Sequence, residues 1–195
     1  MKKLKVAVVA LFALVTVGNV NAQDSDNPWA FSLGVNAIDF KNGSLVEDFL
    51  GNTDWNISNS ISRFTVEKYL GNGITLQGAF SLSQLKHFNA ENDIDGKYYA
   101  FDINGKYDLN ELFGDTSWFD PYVFVGASYS FIDFQAEDFS EVMLNVGYGF
   151  NFWVGDNVGI NYQATYKNQL ADSVPNHFQH ALGVVFRFGG NNDAE

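Results

Sequence analysis

The sequence predicts an all-β fold, an eight-stranded antiparallel up-and-down transmembrane β-barrel. Three observations carry this expectation: apolar and polar residues alternate in period two, the alternation recurs in eight segments, and the connections between them alternate in length. Successive side chains of a strand point to opposite faces, so a period of two marks a strand with one face in each of two environments.

The first residues stand apart from that pattern. Lys2, Lys3 and Lys5 precede an apolar run from Val6 to Val17, and Val20 and Ala22 occupy the small-residue positions of a signal-peptidase site. Residues 1–22 are therefore expected to be a cleaved signal peptide, 23–190 the barrel and 191–195 a short polar tail. The apolar run falls short of the roughly 20 residues a transmembrane helix needs, and no other run approaches that length. Cysteine is absent, which excludes a disulfide framework and a lipid-attachment cysteine. Loss of the three signal-peptide lysines takes the net charge from −12 to −15, an acidity that argues against nucleic-acid binding.

The first strand reads from Trp29, Phe31, Leu33, Val35 and Ala37 against Ala30, Ser32, Gly34 and Asn36. Further strands are expected at about 60–70, 74–86, 97–108, 121–132, 142–153, 158–167 and 177–188. A strand of about ten residues rises roughly 33 Å, and a tilt of about 40° leaves roughly 25 Å along the membrane normal, the height of an apolar band. Gly71-Asn72-Gly73 and Gly155-Asp156-Asn157 read as tight turns, whereas 40–59, 87–96, 132–141 and 168–176 are longer. At 109–120 a helical turn closed by Gly114 is expected. Eight strands then put both termini at the short-turn end and four longer loops at the other.

Alternation alone fits a soluble barrel or sandwich with the apolar face inward equally well. Three features favour the membrane. Trp29, Tyr69, Tyr107, Tyr148, Phe152 and Tyr166 lie near strand ends, where amphipathic rings suit a lipid–water boundary. The opposite face carries Arg63, Glu67, Asp102, Lys106 and Arg187, expected to form an ion-paired polar plug with Asn104, Asn145, Asn151, Asn161 and Gln163 in a lumen too narrow for a wide pore. The last strand runs through Gly183, Phe186 and a near-terminal Phe188, which looks like the signal read by the outer-membrane assembly machinery.

Asn27-Pro28-Trp29-Ala30-Phe31-Ser32-Leu33-Gly34-Val35-Asn36, Ser62 to Gly73, Trp118 to Val123, Gly147-Tyr148-Gly149-Phe150-Asn151 and Phe178-Gln179-His180 together resemble the N-terminal barrel of OmpA-type proteins, in the version found in Bacteroidota. The resemblance implies a membrane anchor followed by calcium-binding acidic repeats and a peptidoglycan-gripping domain. After Phe188 this chain continues only as Gly189-Gly190-Asn191-Asn192-Asp193-Ala194-Glu195, so no peptidoglycan tether is expected of it.

Candidates for chemistry are few. His177 and His180 have opposite parity and so are expected on opposite faces; a His/Ser/Asp site from His177, Asp172 and Ser173 is conceivable but not favoured, and His87 is the third histidine. Asn92-Asp93-Ile94-Asp95-Gly96 lacks the bidentate Glu of a calcium loop and reads as a solvated acidic loop. Asp172-Ser173-Val174 resembles a short O-glycosylation acceptor. The loop aromatics Trp55, Phe131, Phe134 and Phe139 and the run Leu45 to Leu50 are expected to rest on the barrel rim, with partner binding the rival reading.

No catalytic residue, cofactor or metal is expected. The expected function is a non-enzymatic outer-membrane barrel that supports envelope integrity and surface properties, with at most minor passive permeation. Its partners are outer-membrane lipid and, during biogenesis, the assembly machinery. The rivals are a binding or adhesin module acting through the outer loops, a lipid-modifying enzyme and a true porin.

Overall fold

The computed structural model describes residues 27–189 except 41–54, 59, 90–91, 115, 117 and 135–137, with backbone alone at 87–89 and 92–95. The signal-peptide reading, the polar tail and the run Leu45 to Leu50 lie outside the described residues. The elements are β1 (Trp29–Phe40), β2 (Asn56–Ile57), β3 (Arg63–Gly71), β4 (Ile74–Asn89), β5 (Asn92–Asp108), α1 (Asn110–Phe113), β6 (Phe119–Phe134), β7 (Asp138–Trp153), β8 (Val158–Gln169) and β9 (His177–Phe188).

Strands β3 to β9 pair in chain order, every pairing antiparallel. Closure comes from β1 and β9, which pair along their whole length from Trp29↔Phe188 to Phe40↔His177. On its other side β1 runs beside β3 as far as Gly34↔Arg63, and the two-residue β2 then takes over at Ala37↔Ile57. Eight full-length strands thus leave no open edge, and ladder bonds satisfy the backbone without water.

The β3–β4 turn needs three consecutive left-handed residues, Gly71, Asn72 and Gly73, at φ of 110°, 50° and 72°. Glycine and asparagine are the residues that adopt such angles at little cost, which is why this triplet makes the turn. Between β5 and β6, the single turn α1 ends at Gly114 with φ 97°. The Asp108 carboxylate accepts from the Asn110 N–H at 2.9 Å, and the Asn110 amide donates to Phe119 O at 3.0 Å, tying this turn to the next strand.

The strands expected at 74–86, 97–108, 121–132 and 142–153 run further than their alternation showed. The connections at 87–96 and 132–141 are largely continued ladder, paired from Leu85↔Gly96 to Asn89↔Asn92 and from Phe131↔Ser140 to Asp133↔Asp138. The strand expected from residue 60 starts at Arg63; at Ser62 the hydroxyl, not the backbone, accepts the Asn36 N–H at 3.0 Å.

The apolar face points outward. Phe101 is 61% exposed and Ile103 67%, whereas their neighbours Asp102 and Asn104 are buried at 3% and 1%. Phe64, Val66, Leu76, Val125, Leu144, Val146 and Leu182 continue this exposed belt around the wall. Water would not tolerate so broad an apolar surface, and lipid requires it. No helix among the described residues is long and apolar enough to cross a membrane.

The polar lumen as candidate functional site

On β3, Arg63 and Glu67 are inward and four residues apart; on β5, Asp102 and Lys106 repeat that spacing with the signs reversed. Between them β4 places Ala79 and Ser81 inward at the level of Arg63 and Asp102, and Thr75 and Gln77 at the level of Lys106 and Glu67. Arg63 Nη1 donates to Ser81 Oγ at 2.6 Å and to Asp102 Oδ2 at 3.2 Å, and Lys106 Nζ donates to Glu67 Oε2 at 2.7 Å. Both ion pairs therefore cross the same intervening strand.

Lys167 is the residue that sequence reasoning passed over. It comes from β8, on the far wall, and its fully buried ammonium bonds Asp102 Oδ1 across the lumen. Its parity matched Asn161 and Gln163, but nothing local signalled a partner three strands away around the sheet.

Amides join the two ion clusters. Asn145 donates to Asp102 Oδ1 at 3.2 Å and to Asn104 Oδ1 at 3.1 Å. Asn104 in turn donates to Gln77 Oε1 at 3.0 Å, and Gln77 donates to Glu67 at 2.7 Å and to Gln163 at 3.1 Å. Asn161 extends the network to Asn151 at 2.7 Å and Tyr122 at 2.9 Å. Buried charge is costly unless paired and hydrogen-bonded, and this network supplies both conditions.

Arg187 is buried too, further toward one end of the lumen. Its Nε donates to Asp156 O at 2.6 Å, and its guanidinium lies 4.2 Å from the Trp153 ring centre, near the short-turn end. There Ala30, Trp153 and Val185 form a small apolar cluster. A crevice of about 20 Å³ lined by Lys106, Asp108, Asp120 and Tyr122 opens at this end, room for about one water.

At the long-loop end an apolar cluster joins the buried polar residues of the lumen. Ile38, Leu85, Tyr98, Ile132, Met143 and Val174 are buried together, with Phe134 and Phe139 packed against them. Phe134 and Phe139 thus line the cap rather than the outer rim where they were expected, because the chain there is strand and their parity turns inward. Phe131 and Trp55 do lie outside, against Tyr99 and His180. Glu141 holds the last connection over the cap, accepting N–H bonds from Ala171, from Ser173 at 2.9 Å and from Val174 at 2.8 Å.

The two described histidine side chains face opposite ways. In the lumen, His177 Nδ1–H donates to Pro175 O at 2.9 Å, so its Nε2 accepts from Tyr98 OH at 2.9 Å. His180 faces outward, 2.9 Å from Tyr162 OH and stacked on Trp55 at 4.9 Å. Asp172 is engaged by Gln169 at 3.1 Å, so the structure does not assemble His177, Asp172 and Ser173 into a site. Ser173 is exposed, but the third member of its triplet, Val174, is fully buried. The side chains of His87 and of Asn92 to Asp95 lie outside the described residues; among those described, no group of three metal-ligating side chains occurs.

Gly183, Phe186 and Phe188 lie on β9 at the seam. Phe186 stacks on Phe31 at 4.9 Å and Phe188 meets the same ring at 5.9 Å, both on the outer wall. Gly183 faces Gly34 across the seam, where a Cβ on either would meet the opposing backbone.

A closed antiparallel barrel that is apolar outside and polar within is a transmembrane β-barrel. Residues 7–188 match the family of outer membrane protein β-barrel domains, and the chain belongs to that family. Among curated proteins, none matches the sequence. Several solved structures share its fold. Neisserial surface protein A superposes with a TM-score of 0.60 at 16% identity, covering 82% of this chain and 97% of that one. The N-terminal barrel domain of Pseudomonas aeruginosa OprF gives 0.54 at 13%, covering 82% and 97%. Ail, the attachment invasion locus protein of Yersinia pestis, gives 0.53 at 16%, covering 84% and 99%.

Proposed function

We propose that this chain is a non-enzymatic outer-membrane barrel that supports the envelope and displays its long-loop end to the medium, with at most minor passive permeation. The observation that carries this reading is the filling of the lumen at three levels: the Trp153–Arg187 end, the ion-paired middle and the apolar cap under Glu141. Lipid surrounds the outer belt, the assembly machinery inserts the chain after removal of residues 1–22, and both termini stay on the periplasmic side.

Planar-bilayer recording tests the permeation part. The purified barrel is expected to give no sustained conductance above the bare bilayer, and steady open-channel steps would make it a porin instead. Cell fractionation with gel migration before and after boiling tests the location, since a closed barrel resists detergent until heated. Lipid A composition unchanged on replacing His177 and His180 by Ala is the expected outcome for a protein without lipid-modifying activity.

A second reading, a surface-binding module, has one observation in its favour. Strands β4 to β7 run 16, 17, 16 and 16 residues, where about ten cross the apolar band, so these hairpins rise roughly 15 Å beyond it. The attachment for which the Yersinia protein is named is a property of that protein. Here, shortening the β4–β5 hairpin tip should leave the heat-dependent gel shift intact, and loss of cell attachment with it would favour the second reading.

A further inference from the structure

The outer wall carries a groove of about 400 Å³ near the long-loop end, lined by Ser58, Ser60, Leu82, Gln84, Lys97 and Tyr99. It lies beside β4 where β1 changes partners, from β3 at Gly34↔Arg63 to the two-residue β2 at Ala37↔Ile57. Asn56 fixes this wall in place. Its side chain donates to Ile38 O at 3.3 Å and accepts the Lys86 N–H at 2.6 Å, while its carbonyl accepts from Ser83 Oγ at 3.2 Å.

The height of the groove is set by the ladder. Lys97 pairs with Gln84, ten residues along β4 from Ile74. At about 3.3 Å per residue and a tilt of about 40°, that is roughly 25 Å above the short-turn end, the thickness of the apolar band. Below the groove the outward residues are apolar, among them Phe80, Leu82 and Phe101. At its level come the hydroxyls of Ser58 and Ser60, 3.5 Å apart, and the exposed Lys97; Lys86, also exposed, is two residues further along β4 from Gln84, the register partner of Lys97.

Charge makes these two lysines stand out. The chain's net charge is −12, yet four of the described cations, Arg63, Lys106, Lys167 and Arg187, are sealed in the lumen. Lys68 lies over Trp29 at the opposite end. Asp133 is the register partner of Lys97 on β6, but no described carboxylate comes within ion-pair distance of the Lys86 or Lys97 ammonium. Two exposed cations with no ion-pair partner among the described residues, set with hydroxyl donors directly above an apolar wall, match an amphiphile with a phosphorylated head.

We propose that this groove binds the phosphorylated sugar headgroup of an outer-leaflet glycolipid, the phosphate held by Lys97 and Lys86 with Ser58 and Ser60, the acyl chains lying on Leu82, Phe80 and Phe101. The proposal rests on the reading that the long-loop end faces the medium. Binding in detergent does not depend on that orientation, so the two fail separately.

The test titrates the purified full-length barrel in detergent with bisphosphorylated lipid A and with its dephosphorylated counterpart, following complexes by native mass spectrometry. The dissociation constant for the bisphosphorylated lipid is expected to rise at least about tenfold in the double variant Lys86→Glu/Lys97→Glu, and to be unchanged in Lys68→Glu. The heat-dependent gel shift verifies that each variant is folded. Equal binding of the two lipids, or full binding by the double variant, would overturn the proposal. Displacement of the lipid by inorganic phosphate would also overturn it, because the site would then be one for the free anion.

Discussion

Asp102 is held by Arg63, Lys167 and Asn145, so two buried cations share this one carboxylate. Replacing it with asparagine keeps the shape and leaves two cations buried against a neutral amide. The loss expected for Asp102→Asn is about 3–5 kcal/mol, the usual cost of breaking a buried pair from one side. Urea unfolding of the barrel in lipid vesicles would measure it, and a midpoint equal to that of the parent chain would show that water enters the lumen and screens the charges. Adding Lys167→Met should recover part of the loss, since it removes one of the stranded cations, and a double-mutant cycle with no coupling would contradict the cross-lumen bond.

The elements hold one another through close packing as well as charge. Tyr122 and Phe124 on β6 lie over Gly149 and Gly147, their register partners on β7, where a Cβ would strike the rings. Gly149→Val should therefore push Tyr122 off its bond with Asn161 and cost about 1–3 kcal/mol in the same urea experiment. Glu141→Ala should act differently, because it releases three backbone N–H groups of the last connection without touching the ladders. Cleavage by an added protease within 168–176 is expected to speed up several-fold with the barrel's heat-dependent gel shift unchanged, and equal cleavage rates would deny Glu141 that role. Such elements differ in how far they could be read from sequence. The middle of each strand was legible because lipid on one side and a packed lumen on the other force the contrast of period two. Strand ends were not: beyond the apolar band β4 and β5 put Gln84, Lys86 and Lys97 on the outward face while Leu85 and Tyr98 turn inward, so the contrast reverses and no longer marks the face. The inward parity of Arg63, Glu67, Asp102 and Lys106 was legible too, but their partners were not. The Arg63–Asp102 pair crosses β4 over the small Ala79 and Ser81, the Lys106–Glu67 pair crosses it at Thr75 and Gln77, and the Lys167 bond spans the lumen, where no register rule reaches.

For the whole molecule the question is how closure at the β1–β9 seam relates to insertion. Phe31 on β1 holds Phe186 and Phe188 on β9, so the residues that resemble an assembly signal also zip the barrel shut. The two roles separate by measurement. Phe188 is 46% exposed and loses one edge contact on truncation, so Phe188→Ala should cost the folded barrel only about 1 kcal/mol in refolding from urea into vesicles, where no assembly machinery is present. In cells the same variant should fall several-fold in the outer membrane relative to total synthesis, because recognition acts before the seam exists. Phe31→Ala supplies the control: it removes more of the seam packing, leaves β9 intact, and should lower stability more and insertion less. If both variants lost insertion in proportion to their loss of stability, the terminal aromatics would be seam packing alone, and the barrel would reach the membrane by whatever part of β9 the assembly machinery reads upstream of Phe186.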